Sequence, residues 1–284
     1  MRPRQVLPLY NGERPKTMAI YFKHSTWIAV RRCARRDGIA VIPFGSLEQH
    51  GPHLPCGTDT FEIDEIVSRA VSRIDDDLPV CVCPTVEYSL VQWASPLASA
   101  GLSPRTVERC VTDVCHALTD LGFSKIMLVY GHSVPAAFMA LWQSLHEKRA
   151  AMYVNLEPYE RCWQRLVEVA GLENHGSLLE TSMMLAIRPD LVDMTKATAC
   201  PQHLDPDMPI FDKLRGPGLY VVPTVESTPE GHCGTDPRQA TAEVGNKVLD
   251  ILAQTVADVL APLAAEPTPP EFRRIWRKQL PDEG

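Results

Sequence analysis

Glu48, His50, His53 and Asp59 lie close together on the chain, directly after an apolar run that ends at Phe44. Prolines and glycines between them predict a stiff loop. Carboxylates and imidazoles together suit a borderline divalent cation such as zinc, manganese or iron, and a stiff loop lets side chains at different spacings reach one ion. The alternative is a polar surface loop that merely contains histidines. So many metal-type donors directly after a hydrophobic strand favour a metal site.

Two further segments supply the same kinds of side chain. His132 follows the apolar run at residues 125–130, and a third segment carries His175 and Glu180. Because α/β proteins bind ligands at the carboxyl ends of parallel strands, His132 is expected at the same edge of the sheet as the first loop. His53 is expected to stabilise that loop rather than to bind metal.

The elements that must position these donors alternate between strand and helix patterns. Short apolar runs predict strands at 39–44, 78–84, 125–130 and 151–156. Helical spacing and capping residues predict helices at 26–36, from 60 to about 76, at 103–121, 135–148 and 158–170, and from 237 onward. This alternation predicts an α/β fold of three layers, helices on both faces of a mainly parallel sheet.

Length and composition indicate one soluble enzyme-sized domain. Of the 284 residues, 45% are hydrophobic and 22% charged, which is ordinary for a globular protein. We expect an N-terminal extension at 1–18, a single domain at 19–264 and a Pro-rich tail at 265–284. The net charge of -7, without a basic run, argues against nucleic acid or a membrane as partner. A small-molecule substrate fits better.

Cysteine usage and the N-terminus predict a cytoplasmic protein. The nine cysteines are an odd number without paired CxxC spacing, so free thiols in a reducing compartment are expected rather than a disulfide framework. The first residues lack the apolar core of a signal peptide. The sequence shows no run that approaches the roughly 18 apolar residues of a membrane span.

The segment GSLEQHGPHLP at residues 45–55, with Thr58 and Asp59, resembles the signature of the creatininase (creatinine amidohydrolase) family of metal-dependent hydrolases. The resemblance extends over most of residues 20–260 and includes the blocks at 175–182 and 234–242. It indicates a divergent member with the creatininase-like α/β fold. It also implies a ring-shaped homo-oligomer, with a hexamer suspected.

The resemblance further implies two divalent ions per subunit, zinc together with manganese, iron or a second zinc. Asp59 would bridge the ions, His50 and His132 would hold one, and Glu48 would hold the other. Two close ions make a water molecule nucleophilic near neutral pH and polarise the carbonyl it attacks. His175 and Glu180 are the candidate catalytic residues, with His175 passing the proton to the leaving nitrogen. A purely structural role is the alternative for His175.

The chain also departs from the family pattern. Most members read Asn-Gly-His-Gly-Gly-Asn around the third-strand histidine, whereas residues 130–135 read YGHSVP. Creatininase has a metal-binding Glu where this chain has Val134. Either Glu180 completes the second metal position, as we expect, or the enzyme uses one tightly held ion. Residues 88–102 also differ, which predicts an altered pocket wall and makes creatinine itself a less favoured substrate.

The sequence therefore predicts a metal-dependent hydrolase that uses activated water to cleave a C–N bond of a small, cyclic amide rather than an ordinary peptide bond. Alternatives within the family are a formamide, a cyclic diketone of a sugar or cyclitol, or a peptide bond in a modified precursor. From another class, the chain could be an inactive metal-binding structural subunit. The retention of six dispersed donors weighs against that reading.

Overall fold

The computed structural model describes residues 19–91, 98–132, 145, 151–171, 175–199 and 231–272. The predicted extension at 1–18, the predicted helix at 135–148 except residue 145, and most of the C-terminal tail lie outside the described residues. Val134 and residues 92–97 of the expected pocket wall also lie outside them. The fold described below is that of the remaining chain.

A parallel sheet of five strands lies at the centre of the fold, in the order β1-β3-β2-β4-β5. The predicted α/β class with a parallel sheet is confirmed. The two-residue strand β1 is too short to leave a sequence pattern, and β3 is shorter than predicted. The strands are β1 (Ile20–Tyr21), β2 (Ile39–Phe44), β3 (Val80–Val82), β4 (Lys125–Tyr130) and β5 (Met152–Leu156).

The described helices are α1 (Trp27–Arg35), α2 (Thr58–Val71), α3 (Pro104–Asp120), α4 (Pro158–Ala170), α5 (Leu178–Ile187) and α6 (Ala242–Ala265). Most of α5 is buried, so it lacks the one-sided apolar pattern that indicates a surface helix. Helix α6 begins later than predicted, because a short 3-10 turn at Pro237–Gln239 precedes it and Thr241 caps its first turn.

Two hydrophobic cores lie on opposite faces of the sheet. All six residues of β2 are buried, and they alternate between the two cores. Ile39 and Val41 face the core that includes α2, α4, α5 and α6, whereas Ala40, Ile42 and Phe44 face the core that includes α1 and α3. Strands buried on both faces explain the continuous apolar runs in the sequence. The fold therefore has three layers.

The expectation that no run approaches a membrane span was wrong, because α6 is long and apolar enough, by length and composition alone, to cross a membrane. It instead packs against α2, α4 and α5, and residues such as Val248, Leu252, Val256 and Leu260 are fully buried within the core. A buried core helix passes the same test of length and hydropathy. We therefore interpret α6 as a core helix.

The sheet edge opposite the strand carboxyl ends holds a buried polar cluster. The Lys125 Nζ donates to the carbonyl oxygens of Leu263 and Glu266, at 3.0 and 2.9 Å, where α6 ends. The Asp37 carboxylate lies 3.8 Å from the same Nζ and accepts hydrogen bonds from the Thr268 backbone N–H and hydroxyl. Burial alone would raise the Asp37 pKa, but the Thr268 hydrogen bonds and Lys125 lower it. This cluster ties the end of α6 to the sheet.

Replacing Asp37 with asparagine should lower the free energy of unfolding at pH 7 by about 1–3 kcal/mol, because the buried ammonium loses its anion. Asn tolerates the left-handed backbone of this residue, where φ is 61°, so the change tests the charge. A depressed carboxyl pKa stabilises the fold above its unfolded value and ceases to do so as pH falls through the folded value. The difference in unfolding free energy between Asp37→Asn and wild type should therefore become smaller below about pH 4.

Urea unfolding of Asp37→Asn and wild type at pH 7 and about pH 3 measures this effect. Asp76→Asn, which changes an exposed carboxylate, serves as the control. Equal unfolding free energies for wild type and Asp37→Asn at pH 7 would contradict the stabilising role of the cluster.

Candidate metal centre

Close packing at two glycines brings the start of α2 onto the carboxyl ends of β2 and β4. A Cβ added to Gly45 would lie within 2.5–2.9 Å of Thr60 atoms, and one added to Gly131 would lie 2.6 Å from the Ile63 Cβ. Real side chains do not approach this closely, so glycine is required at both strand ends. The consequence is that Asp59, in the first turn of α2, lies directly at the edge of the sheet.

The Asp59 carboxylate lies between two histidines. Its Oδ1 is 3.3 Å from the His50 Nε2, and its Oδ2 is 3.3 Å from the His132 Nδ1. The Ser46 hydroxyl donates to Oδ2 at 2.5 Å and orients the carboxylate. Asp59 is 2% exposed. Each carboxylate oxygen therefore serves a different histidine, as a bridging ligand requires.

The other predicted donors complete two groups around Asp59. On one side the Glu48 Oε2 lies 3.4 Å from the His132 Nδ1. On the other, the Glu180 Oε2 lies 3.8 Å from the His50 Nε2. Within each of the sets Glu48–Asp59–His132 and His50–His175–Glu180, the possible ligand atoms lie within 4.8 Å of one another.

The structure thus brings together all six side chains singled out from the sequence, with a different partition. The resemblance assigns His50 and His132 to the same ion, whereas the distances place His132 with Glu48 and His50 with Glu180. The reason is that Asp59 lies between the two rings. An ion shared by both histidines would have to lie across the carboxylate.

Hydrogen bonds of the histidine rings fit this set of donors to a metal. The His50 Nδ1 donates to the Glu48 backbone carbonyl at 2.9 Å, which leaves the Nε2 lone pair facing the carboxylates. Metal-binding histidines are commonly oriented in this way. The His50 and His132 Nε2 atoms are both buried and have no hydrogen-bond partner among the described residues. Imidazole nitrogens and carboxylates converging in a dry site suit one or two divalent cations.

The pKa values of the clustered side chains show that the cluster lacks positive charge. Burial lowers the pKa of His50, but Asp59 and Glu180 outweigh burial and raise it to about 10. Asp59 raises the pKa of His132 in the same way against burial. Burial and Asp59 raise the pKa of Glu180 to about 7, while His50 opposes them. Several buried carboxylates therefore demand positive charge, which either protons or metal ions can supply.

His175 is held differently from the other histidines. Its Nε2 donates to the Gln49 backbone carbonyl at 2.5 Å, and its ring centroid lies 4.1 Å from that of His50. Burial and the neighbouring His50 lower its pKa well below the usual value. Backbone hydrogen bonds with Cys233, a residue distant in sequence, fix the segment that carries it. The result is a neutral imidazole next to the metal ligands.

Two buried residues near the site, Glu62 and His232, were not singled out from the sequence. Glu62 lies one turn after Asp59 on α2, at a spacing that places it on the same face. His232 packs its ring 5.4 Å from that of His53 and donates to the Thr198 carbonyl at 2.9 Å. His53 itself contacts the Thr181 hydroxyl through Nε2 at 3.0 Å. Helical spacing gave a signal for Glu62, but no sequence signal links His232 to the loop.

The described part of the expected pocket wall packs on the ligand loop. The Ser99 hydroxyl accepts from the Gln49 backbone N–H at 3.3 Å, and the Ala100 N–H donates to the Leu47 carbonyl at 2.8 Å. Ser99 and Ala100, in the segment where the sequence departs from the creatininase pattern, therefore lie against the loop that carries Glu48 and His50. This position suits a role in substrate selection.

Comparison with known families agrees with this centre. The family model of creatininase, described as creatinine amidohydrolase, matches residues 23–260. The chain belongs to the creatininase family. It is 24% identical to creatinine amidohydrolase of Pseudomonas putida over 270 residues, covering 85% of this chain and 96% of that protein. The predicted family resemblance to a divergent member is thus confirmed.

Two other relatives carry different activities in their names. The mycofactocin precursor peptide peptidase of Mycobacterium ulcerans (strain Agy99) is 28% identical, with 79% of this chain and 84% of that protein covered. The 3-dehydro-scyllo-inosose hydrolase of Thermotoga maritima is 26% identical, and the match covers 91% of this chain and 88% of that protein. These relatives are all hydrolases in name, and the similar identities do not single out one substrate.

Solved structures show the same fold. A manganese creatininase superposes with a TM-score of 0.71 at 22% identity, covering 87% of this chain and all of that one. A mutant creatininase of Zn–Zn type gives a TM-score of 0.70, also at 22% identity, with 89% and 100% covered. With the family match and the convergent donors, these findings support a hydrolase that binds divalent metal ions.

Removing metal should make stability depend on pH in a specific direction. His50 has a folded pKa raised to about 10, so its contribution is complete below its unfolded value of about 6.5 and is lost as pH rises toward 10. We expect the melting temperature of chelator-treated protein to fall between pH 7 and pH 9. Saturating zinc should reduce this dependence of the melting temperature on pH, because the zinc ion replaces the proton on His50.

Thermal melts of the metal-free and zinc-loaded protein across this range provide the measurement. Metal-free His50→Gln, which cannot take up a proton, is the matched control and should lack the additional slope. If the two forms of the wild type show parallel pH dependence, His50 does not exchange a proton for metal.

Proposed function

We propose that this protein is a metal-dependent hydrolase that cleaves a C–N bond of a small, cyclic amide. The proposal rests chiefly on the neutral, buried His175 imidazole that lies next to the His50 ring and is anchored through its Nε2. An amide nitrogen is a poor leaving group unless it receives a proton. A positioned group that accepts a proton and returns it can carry out that transfer.

The donors support two divalent ions that share Asp59, zinc together with manganese, iron or a second zinc. When bound, such ions would activate water as a nucleophile and polarise the carbonyl of the substrate. Glu48 and His132 would hold one ion, and His50 and Glu180 the other. The hydrogen bonds from Ser46 to Asp59 and from His50 to the Glu48 carbonyl keep these ligands in position.

His175 would carry the proton. Donation from Nε2 to the Gln49 carbonyl fixes the tautomer and leaves the lone pair on Nδ1. Its lowered pKa keeps the ring neutral at the start of the reaction, so it can accept a proton and return it to nitrogen. Glu180, whose Oε2 accepts a hydrogen bond from the Gly176 N–H, is the second candidate acid or base.

Burial of the centre favours a small substrate. Its six donors are between 0% and 9% exposed, so a folded protein could not reach them directly. Residues 99–100 pack on the ligand loop, which supports a pocket wall different from that of creatininase and a substrate other than creatinine. A formamide, a cyclic diketone of a sugar or cyclitol, or a peptide bond in a modified precursor remains an alternative. The names of the relatives from Thermotoga maritima and Mycobacterium ulcerans favour keeping the last two.

The cellular compartment and the oligomeric state of the protein stay predictions. The eight cysteines that the structure describes are free thiols, which supports the proposal of a reducing, cytoplasmic compartment. A homo-oligomer is expected from the family resemblance, and size-exclusion chromatography with light scattering would measure it.

Replacing His175 with glutamine should separate catalysis from metal binding. We expect kcat for the best substrate from a panel of cyclic amides, formamides, cyclic diketones and short peptides to fall about 10²- to 10⁴-fold, the usual loss for a general acid–base. Metal content by elemental analysis should stay at the wild-type value. Glu180→Ala should instead lose both metal and activity, because this residue is placed among the ligands.

Asp59→Ala tests the alternative of an inactive structural subunit. It should abolish both metal binding and turnover, whereas Asp76→Ala, at an exposed turn after α2, should change neither. A purified, metal-loaded wild type that hydrolyses nothing in the panel, or Asp59→Ala that loses metal and retains turnover, would refute the proposed activity.

A further inference from the structure

Glu62 is a buried carboxylate that the metal centre described above does not yet use. It follows Asp59 by three positions on α2, so both side chains lie on one face of the helix. Glu62 is 0% exposed. Fully buried glutamates are rare unless a partner or a cation balances the charge.

The position of Glu62 extends the Asp59 cluster away from His132. Possible ligand oxygens of Asp59, Glu62 and Glu180 lie within 4.8 Å of one another. Three carboxylates this close and this deeply buried cannot all be ionised without positive charge between them.

An independent feature shows that a cation is expected there. The His50 Nε2 is buried, has no hydrogen-bond partner among the described residues, and lies 3.3 Å from the Asp59 Oδ1 and 3.8 Å from the Glu180 Oε2. The ring is fixed by its Nδ1 hydrogen bond, so the Nε2 lone pair faces two of these three carboxylates. A lone pair and carboxylate oxygens facing one another repel unless an ion or a proton lies between them.

A hydrogen bond from Tyr159 holds Glu62 in place. The Tyr159 hydroxyl, from the second residue of α4, donates to the Glu62 Oε2 at 3.1 Å. A ligating carboxylate is typically oriented by such a hydrogen bond on one oxygen. Tyr159 and Glu62 come from different helices, so this contact depends on the packing of α2 against α4.

From this geometry we propose that Glu62 is a carboxylate ligand of the second metal ion, alongside Asp59, His50 and Glu180. Glu62 thereby supplies, from α2, the donor that Val134 cannot supply after β4. The inference rests on the proposed dinuclear centre and adds to it a ligand that lies outside every segment carrying the family signature. An enzyme with Glu62 in this role keeps both ions despite the apolar residue at 134.

The test is metal content and affinity of Glu62→Gln, compared with wild type, after incubation with zinc and gel filtration. Wild type should retain about two ions per subunit and Glu62→Gln about one. Competition with a chromophoric chelator should show at least about tenfold weaker binding of the second ion. Glu65→Gln, a partly exposed carboxylate on the same helix that pairs with Arg69, is the matched control and should retain both ions.

Two further variants keep the test decisive if Glu62→Gln does not fold. Glu62→Asp keeps the negative charge but shortens the side chain, so it should selectively weaken binding of the second ion. Tyr159→Phe removes only the hydrogen bond that orients Glu62. It should therefore weaken binding of the second ion less than Glu62→Asp does.

The outcomes separate this inference from the proposed function. About two ions in wild type and in every Glu62 variant, with unchanged affinities, would overturn the role of Glu62 and leave the dinuclear hydrolase intact. About one ion in wild type would also overturn it, since no second ion would exist to be bound. Absence of bound metal in wild type would instead refute the metal-dependent hydrolase itself.

Discussion

The Asp59 carboxylate, with a histidine facing each of its oxygens, is the interaction on which the rest of the centre depends. It can lie between His50 and His132 only because α2 begins directly against the ends of β2 and β4. Gly45 and Gly131 allow that approach, since any side chain there would collide with α2. The fold thus places the start of a helix, rather than a flexible loop, at the position where two ions can share one ligand.

Charge makes this arrangement dependent on cations. Burying several carboxylates is costly unless positive charge compensates them, and breaking such a set leaves an uncompensated buried charge. In the protein without metal, protons on His50 and Glu180 fill that role, which explains their raised pKa values. Divalent metal ions would supply more positive charge than protons do. Metal binding would therefore contribute to the stability of the centre as well as to its chemistry.

The candidate metal centre and the connection proposed to shape selectivity lie in different parts of the chain. The donors of the candidate centre follow β2 and β4 or lie on α2 and α5, which belong to the packed core. Ser99 and Ala100, in contrast, belong to a connection between elements that rests on the ligand loop. A hydrolytic centre can be retained in this way while the wall around it changes, which fits relatives of similar identity that carry different activities in their names.

The sequence by itself predicted the fold class and most helices and strands, and it singled out six donor-type side chains that the structure brings close together. These follow from local patterns: apolar runs for buried strands, helical spacing for amphipathic helices, and metal-type residues directly after strands. Helix α5 left no such pattern because it is buried on nearly all sides. Only the tertiary structure decided which donors face each other, brought Glu62 into the Asp59 cluster, and set His232 against His53. Those relations depend on how separate elements pack, and packing distances between residues far apart in sequence leave no local periodicity to read.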